Sequence, residues 1–200
     1  MSECLIFDFE TLSQNPINGV LVSCALLTFD IDILPNNGYT YEELLDKVKY
    51  FKFDVKHQVE LWNRKVDPKT LDWWQKQSKE ALATIKPSKE DRPLEDFLPW
   101  FSSNFNRDKL QYIFSRNNTF DPVIIQSICT DIIPAQPMPY DWWKIRDTKS
   151  LIMGLVYGTD IKDTFIPPDA VNKYVKHDPR HDVVLDVMRL QTLLFHKFGE

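Results

Sequence analysis

The apolar segments of this sequence follow an order that only a few folds can accommodate. Three β-rich segments come first, at Cys4–Phe9, Gly19–Phe29 and Val48–Val59, and an Asn-Pro-Ile-Asn-Gly turn separates the first two. Short apolar runs bounded by turn residues predict strands, and the short connection predicts an antiparallel first pair. Two more strands are predicted at Leu110–Ser115 and Trp142–Asp147.

Helical segments begin after the third predicted strand. Asp67-Pro68 combines a favoured N-cap residue with proline at the first helical position, which predicts a helix over Lys69–Gln77. The C-terminal segment has an apolar stripe of helical period, formed by Val183, Val187, Leu190 and Leu194. The other predicted helices span Leu94–Phe105, Phe120–Cys129 and Thr148–Val156. Three strands followed by alternating helices and strands predict an α/β fold, a mixed sheet flanked by helices.

Length and composition limit the number of domains and the class of protein that this chain can form. The 200 residues are 43% hydrophobic and 26% charged, which is typical of a folded globular chain, and we expect residues 1–200 to form a single domain. The net charge of -5 excludes a protein that holds duplex DNA by charge alone. Local basic residues either guide a nucleic-acid strand or are solvated surface charge; they are Lys144, Arg146, Lys149, Lys173, Lys176 and Arg180.

The cysteines and the hydropathy pattern indicate the cellular compartment in which the protein is expected. Cys4, Cys24 and Cys129 are odd in number, widely spaced and form no Cys-x-x-Cys motif. They predict neither a disulfide framework nor a zinc site, and they fit a reducing compartment. No segment approaches the apolar length of a membrane helix, so we expect a cytoplasmic protein without a membrane partner.

Two acidic residues interrupt the first predicted strand. Asp8 and Glu10 lie two positions apart, so their side chains leave the same face of the strand. Burying two unpaired carboxylates together is costly, and a bound metal ion offsets this cost. The pair predicts a metal site, unless this end of the strand reaches solvent.

Two later segments contain further acids next to predicted helix starts. Asp121 directly follows a buried strand, at the carboxyl end where open α/β sheets place ligands. His177 and Asp182 open the last helix and offer an imidazole near a carboxylate, which suits a general base beside a metal ligand. Taken separately, each acid is also typical of an ordinary helix N-terminus.

The three motifs in their order resemble one enzyme family. Asp-Phe-Glu-Thr near the N-terminus is followed by Asn-x-x-Phe-Asp after a later strand and His-x4-Asp on the last helix. This arrangement resembles the DEDDh 3′–5′ exonucleases, which have a ribonuclease H-like fold. The stretch Thr70–Gln75 and the triplet Arg146-Asp147-Thr148 are similar to the phage exonuclease A and mycobacterial exoribonuclease group within that family.

The resemblance implies a role for each acidic residue. Asp8 would bridge two divalent metal ions, and Glu10 and Asp182 would complete the coordination of the ion that holds the attacking water. Asp121 would support the second ion, and His177 would be the general base. Because all the metal ligands are oxygen atoms, the two ions would be Mg²⁺ or Mn²⁺ rather than zinc.

The third motif can be aligned in more than one register. Three pairs fit the patterns of the family: His177 with Asp182, His181 with Asp186, and Tyr174 with Asp178. Asp182 is preferred because it lies beside the apolar stripe at the start of the helix. Asp186 sits three residues before Arg189, which predicts a surface ion pair. Asp178 precedes Pro179, which predicts an extended segment before the helix.

Substrate contacts are predicted mainly through the resemblance and through aromatic residues. Thr11 and Leu12 follow the acid pair and would contact the terminal nucleotide, and Asn117 would approach a phosphate. Trp74, or its neighbour Trp73, would stack on a base of a single strand. Adjacent helical residues face different directions, so at least one of the two belongs to the core. Trp142 and Trp143 are both predicted to be core residues.

The predicted function is removal of nucleotides from the 3′ end of single-stranded DNA or RNA. One alternative is the same site acting on a capped RNA end or a dinucleotide, because metal ions recognise phosphate rather than base. Another is a non-catalytic nucleic-acid-binding relative. The sequence leaves open the choice between DNA and RNA, and also that between a monomer and a homodimer.

Overall fold

A mixed five-stranded sheet organises the part of the chain that the computed structural model describes, residues 2–36, 38–132 and 137–199. The strand order is β3-β2-β1-β4-β5; β1 to β3 are antiparallel neighbours, and β4 and β5 run parallel to β1. The predicted fold class, three antiparallel strands and then parallel strands, is confirmed. The strands are β1 Glu3–Thr11, β2 Leu21–Asp30, β3 Lys49–Lys52, β4 Tyr112–Ser115 and β5 Ile145–Asp147.

Helices connect and cover the strands. The longest, α8, has 20 residues and closes the described chain. No helix in these described ranges is long and apolar enough to cross a membrane. The helices are α1 Tyr41–Lys47, α2 Val55–Trp62, α3 Pro68–Trp74, α4 Lys79–Thr84, α5 Phe97–Ser103, α6 Asp121–Ser127, α7 Thr148–Val156 and α8 Pro179–Phe198.

The prediction of a strand over Val48–Val59 is wrong in its second half. The strand ends at Lys52, and α2 begins at Val55 because the Asp54 side chain caps it by accepting a hydrogen bond from the His57 amide. Side-chain caps also start α1 and α4, two further helices that the sequence patterns did not predict.

The predicted strand over Trp142–Asp147 is shorter in the structure. Only Ile145–Asp147 of the segment predicted at 142–147 is a strand, since Trp142–Lys144 form a 3-10 turn. Trp142 and Trp143 are 73% and 59% exposed, so the prediction that they are core residues is wrong. Pro99 lies in the first turn of α5, where its missing N–H breaks no helical hydrogen bond.

The two faces of β1 belong to different apolar layers. Leu5, Phe7 and Phe9 point into a cluster formed with α5 and α6, whereas Cys4 and Ile6 point into a cluster formed with α7 and α8. Asp8 and Glu10 continue the second series toward the C-terminal end of β1. The alternation of the strand therefore aims both carboxylates at the layer that contains α8.

Candidate active site

The predicted catalytic residues converge at the C-terminal end of β1. Because β4 runs parallel to β1, the ends of these strands lie at the same edge of the sheet, and the first turn of α8 packs beside them. A cavity of about 520 Å³ opens at this edge. Its lining includes Asp8, Glu10, Arg116, Tyr174, His177, Asp182 and Asp186.

Three residues from two distant parts of the chain are close enough to share one ion. A ligand atom of Glu10, one of His177 and one of Asp182 all lie within 4.8 Å of one another. The Tyr174 hydroxyl donates a hydrogen bond of 2.6 Å to Asp182 Oδ1 and holds that carboxylate in place. Asp8 lines the same cavity but lies outside this group of three.

Asp121 lies beneath β1 rather than on the cavity wall. It is buried in the first turn of α6, where its Oδ1 accepts a hydrogen bond of 3.2 Å from the Phe9 amide. This bond ties the start of α6 to the strand between Asp8 and Glu10. Asp121 is therefore close enough for its charge to raise the pKa values of Asp8 and Glu10.

Burial and mutual repulsion raise the pKa values of these carboxylates. Burial raises the pKa of Asp8 well above its usual range, and the charges of Asp121, Asp182 and Glu10 raise it further. Burial and the charge of Asp182 do the same to the pKa of Glu10. Burial raises the pKa of Asp121 to about 8 and that of Asp182 to about 7.

A divalent cation fits this arrangement. Within the described ranges, no lysine or arginine forms an ion pair with Asp8, Glu10, Asp121 or Asp182. A cluster of desolvated carboxylates without a cationic partner is stabilised by a bound metal ion. The donors are carboxylate oxygens with one imidazole alongside, and oxygen donors suit Mg²⁺ or Mn²⁺.

His177 occupies the segment that leads into α8. Its backbone has φ of 64°, the left-handed region that few residues other than glycine adopt. Its ring contacts the Trp73 ring edge-on, with 4.6 Å between the centroids. Burial lowers the pKa of His177, and the charge of Lys176 lowers it further. The lowered pKa favours the neutral imidazole, which is the form that can accept a proton.

Asp186, from the second register of the third motif, is held by hydrogen bonds from neighbouring side chains. It is buried, and it accepts hydrogen bonds from Arg116 Nη1 at 2.7 Å, Arg189 Nη1 at 2.9 Å and Thr148 Oγ1 at 2.6 Å. The pair with Arg189 was expected at the surface, and that expectation is wrong because both side chains are buried. His181, the other member of this register, is bonded through Nδ1 to the Tyr41 hydroxyl.

Asp178, from the third register, is the N-cap of α8. Its backbone is extended, as predicted, and its side chain accepts hydrogen bonds from the Arg180 amide and guanidinium. The partner of Tyr174 in the structure is Asp182, eight residues away. Sequence reasoning missed this contact because it considered Tyr174 only as an alternative to the histidine.

Comparison with known proteins identifies the family. Residues 3–191 match the family described as the 3'-5' exoribonuclease Rv2179c-like domain. The chain belongs to this family. It is also 27% identical over 209 residues to the exodeoxyribonuclease of Enterobacteria phage T4, covering 97% of this chain and 90% of that protein. The predicted relation to the DEDDh exonucleases is confirmed, and so is the predicted enzyme class, a 3′–5′ exonuclease.

Solved structures show the same fold. A structure of exonuclease I superposes with a TM-score of 0.61 at 17% identity, over 98% of this chain and 43% of that one. The zinc-bound complex of Escherichia coli exonuclease I with single-stranded DNA gives a TM-score of 0.56 at 14% identity, over 97% and 40% of the two chains. This chain thus spans about two fifths of the exonuclease I chains, and the predicted ribonuclease H-like fold is confirmed.

The substrate contacts predicted for this Rv2179c-like domain need correction at Trp74. Its side chain is 1% exposed and its Nε1 donates a hydrogen bond of 2.9 Å to the Thr11 carbonyl, so it has no free face for a base. Trp73 is the member of the pair that remains accessible, at 41% exposed. Leu12 is buried against Trp74, so core packing is the role that the structure gives it.

Two other predicted contact residues lie near the site without facing the acids. The Thr11 hydroxyl donates to the Ser13 carbonyl at 2.7 Å, and Thr11 lines a second cavity next to the first. Asn117 is exposed in the loop after β4, and its side chain accepts from the Thr119 amide and hydroxyl. Asn117 therefore shapes that loop in this structure.

Most of the basic residues considered as strand guides are bonded within the domain. Lys144 pairs with Asp141, Lys173 with Glu42 and Asp169, and Arg180 with Asp178. The Arg146 guanidinium lies over the Tyr112 ring, with 5.0 Å to its centroid. Lys176 is exposed and lines the cavity that contains the carboxylates, so it is the basic residue of this set best placed to meet a phosphate.

Proposed function

We propose that this chain is a metal-dependent exonuclease that removes nucleotides from the 3′ end of single-stranded DNA or RNA, with residues 1–200 acting as one domain. The observation that carries the proposal is the approach of Glu10, His177 and Asp182 to within 4.8 Å of one another in a cavity that Asp8 also lines. Family membership supports the same conclusion.

Four carboxylates would hold the metal in this proposal. They are Asp8, Glu10, Asp121 and Asp182. Burial raises their pKa values because it removes water from the ionised carboxylates, and a bound cation would stabilise the same ionised form. Two ions, Mg²⁺ or Mn²⁺, would supply positive charge to the attacking and leaving oxygens of a phosphodiester. An acidic protein of net charge -5 gains local attraction for a polyanion in this way.

The remaining residues of the cavity have distinct tasks. The neutral His177 imidazole would accept a proton from the attacking water. Tyr174 orients Asp182 through its hydrogen bond of 2.6 Å. The Arg116 guanidinium is partly exposed in the cavity while Asp186 holds one of its nitrogens at 2.7 Å, so its remaining donors would bind a phosphate oxygen of the substrate.

Relatives of this chain differ in the polymer that their names mention. The family is described as exoribonucleases, whereas the phage T4 relative is named an exodeoxyribonuclease. Escherichia coli exonuclease I has been solved with single-stranded DNA. Both polymers are therefore candidate substrates, and a single strand is the form that exposes bases to an aromatic residue such as Trp73.

The test is digestion of 5′-labelled single strands of DNA and RNA with the same sequence. Each strand is incubated with Mg²⁺, with Mn²⁺ and with a chelator, and a copy with a blocked 3′ hydroxyl is the control. The proposal expects a metal-dependent ladder that shortens from the 3′ end and stalls on the blocked strand. Metal binding without cleavage of either polymer would point to capped or dinucleotide substrates, and absence of metal binding would overturn the catalytic proposal.

A further inference from the structure

Two exposed tryptophans lie at the outer edge of the sheet. Trp142 and Trp143 are 73% and 59% exposed, and their rings contact each other edge-on with 5.9 Å between the centroids. They occupy the 3-10 turn that leads directly into β5, the last strand in the sheet order. Two adjacent indoles in water form an apolar surface that a binding partner would cover.

The charges beside these rings favour an anionic partner. The two carboxylates of this stretch are already bonded, since Asp141 forms ion pairs and Asp147 caps α7. Arg146 and Lys149 are exposed, and neither forms an ion pair within the described ranges. Exposed cations next to accessible aromatic rings are the combination that binds a single-stranded nucleic acid, through its phosphates and its bases.

Arg146 is held next to the tryptophans by its own contacts. Its Nη1 donates a hydrogen bond of 2.8 Å to the Trp143 carbonyl, and its guanidinium lies over the Tyr112 ring with 5.0 Å to the centroid. In the part of the chain that the structure describes, its Nε and Nη2 have no hydrogen-bond partner. A guanidinium that is fixed on one side and open on the other suits a phosphate.

The sheet places Arg146 on the same face as the catalytic carboxylates. Ile6, Phe114 and Arg146 are paired across β1, β4 and β5, so their side chains leave the same face, which is also that of Asp8. Strands lie about 4.8 Å apart and rise about 3.3 Å per residue, which puts the Arg146 α-carbon roughly 12 Å from that of Asp8. The tryptophans are therefore a few nucleotides away from the bond that would be cleaved.

The loop after β4 connects the cavity to this edge. Arg116 lines the cavity, and the amide of Asn118, two residues later, donates a hydrogen bond of 3.1 Å to Asp147 Oδ2. Asp147 lies next to Arg146 in β5, and Lys149 follows in the first turn of α7. Basic side chains thus continue from the cavity wall to the tryptophans along one border of the sheet.

We propose that Trp142, Trp143, Arg146 and Lys149, here called the tryptophan edge, bind the part of the single strand that precedes its 3′-terminal nucleotide. The proposal rests on the proposed function, because it extends the path of the same substrate beyond the cavity. The rings stack on bases, and the two cations bind phosphates. A dinucleotide in the cavity does not extend to the tryptophan edge, whereas a long strand gains this additional binding.

The test compares the KM of a dinucleotide with that of a strand of about 20 nucleotides, a length beyond the usual size of such binding sites. We expect the double change Trp142→Ala and Trp143→Ala to raise the KM of the long strand by about 10-fold or more, the effect expected for loss of stacking rings. The dinucleotide should show no such rise. Phenylalanine at both positions keeps the rings and should restore most of the loss. Leu61→Ala, which shortens an exposed apolar side chain on α2, is the control.

Salt dependence measures the phosphate contacts separately from the stacking. For a single strand, each neutralised phosphate contributes about 0.7 to the slope of log affinity against log salt concentration. The double change Arg146→Ala and Lys149→Ala should therefore make this slope shallower by about 1.4 for the long strand. Lys56→Ala, which removes an exposed lysine on α2, is the matched control and should leave the slope unchanged.

Three results would overturn the tryptophan edge. One is a KM of the long strand that matches those of the control variants, and another is an equal rise for both substrates. The third is a wild-type dimer that the tryptophan double variant converts to a monomer in sedimentation, because the rings would then belong to an interface between copies.

Failure of the proposed function would give a different result. A wild type that cleaves neither substrate would refute the exonuclease proposal and leave the tryptophan edge to be judged by equilibrium binding of the labelled long strand. Weaker binding by the tryptophan double variant than by Leu61→Ala would support the edge, and equal dissociation constants would overturn it.

Discussion

At the scale of single residues, two aspartates four positions apart on α8 have contrasting environments. Asp182 faces the cavity with a pKa raised to about 7 and without a basic ion-pair partner in the described chain. Asp186 is buried one turn later between Arg116 and Arg189. The His-x4-Asp spacing fits either residue as the last acid of the motif. Their surroundings favour Asp182 as the metal ligand, because Asp186 already has two arginine partners.

Asp182→Asn should abolish most of the activity while leaving the fold intact. Metal ions contribute several kcal/mol of charge stabilisation in such sites, so the loss of a ligand should lower the rate by about 100-fold or more. Initial rates with Mg²⁺ measure this, and Asp160→Asn, a change of an exposed aspartate, is the control. A variant with wild-type activity would show that Asp182 is not a metal ligand.

Asp186→Asn should act on stability instead. The substitution leaves the buried Arg189 guanidinium without its anion, and breaking a buried ion pair from one side costs about 3 kcal/mol or more. Urea unfolding of the variant and of Asp160→Asn gives the difference in the free energy of unfolding. An unchanged free energy of unfolding together with lost activity would move Asp186 into the catalytic set.

At the scale of elements, the start of α8 determines the geometry of the site. Asp178 caps this helix, His177 directly precedes the cap, and Asp182 lies in the first turn. We expect Asp178→Ala to destabilise the protein by about 1 kcal/mol and to speed hydrogen exchange in the first turn of α8. Asp178→Asn keeps a capping oxygen and should retain most of the stability; equal destabilisation by both changes would argue against the cap.

The sequence was sufficient to predict the elements that supply the acidic residues. Period-two alternation placed Asp8 and Glu10 on one face of β1, and the apolar stripe from Val183 to Leu194 defined most of α8. Local caps were harder to predict: Asp54 ends the extended segment after β3 by starting a helix, although the residues beyond it suit a strand. Here a side-chain hydrogen bond outweighs the β propensity of the segment.

Contacts between distant segments were beyond the reach of sequence patterns. Trp73 and Trp74 are indistinguishable by spacing. The packing of α3 buries Trp74, whose indole donates a hydrogen bond to the Thr11 carbonyl, and leaves Trp73 accessible. The bond from Tyr174 to Asp182 and the approach of Arg116 to Asp186 likewise depend on how the elements pack. The exposure of Trp142 and Trp143 shows that aromatic character alone does not predict burial.

At the scale of the whole molecule, the buried acids make stability depend on pH. The pKa values of Asp8, Glu10, Asp121 and Asp182 are raised in the folded protein, so the folded state keeps protons that the unfolded chain has already lost. Their contribution is complete below about pH 4 and is lost as the pH rises toward the raised values near 7 and 8.

Metal-free protein should therefore lose thermal stability between about pH 5 and about pH 8. Saturating Mg²⁺ should reduce this loss, because the ion replaces the protons as the partner of the carboxylates. Melting temperatures in a chelator and in Mg²⁺ across this range test the prediction, with Asp182→Asn expected to show a shallower slope in chelator. A slope that Mg²⁺ leaves unchanged would contradict a metal site formed by these residues.

Calorimetric titration of Mn²⁺ into the metal-free protein near neutral pH measures whether these carboxylates form a divalent metal site. We expect the wild type and Asp160→Asn to bind Mn²⁺ with release of protons, because the raised pKa values leave the site partly protonated, and we expect Asp8→Asn to lose most of this binding. Equal binding by the wild type and Asp8→Asn, or no binding by either, would contradict such a site.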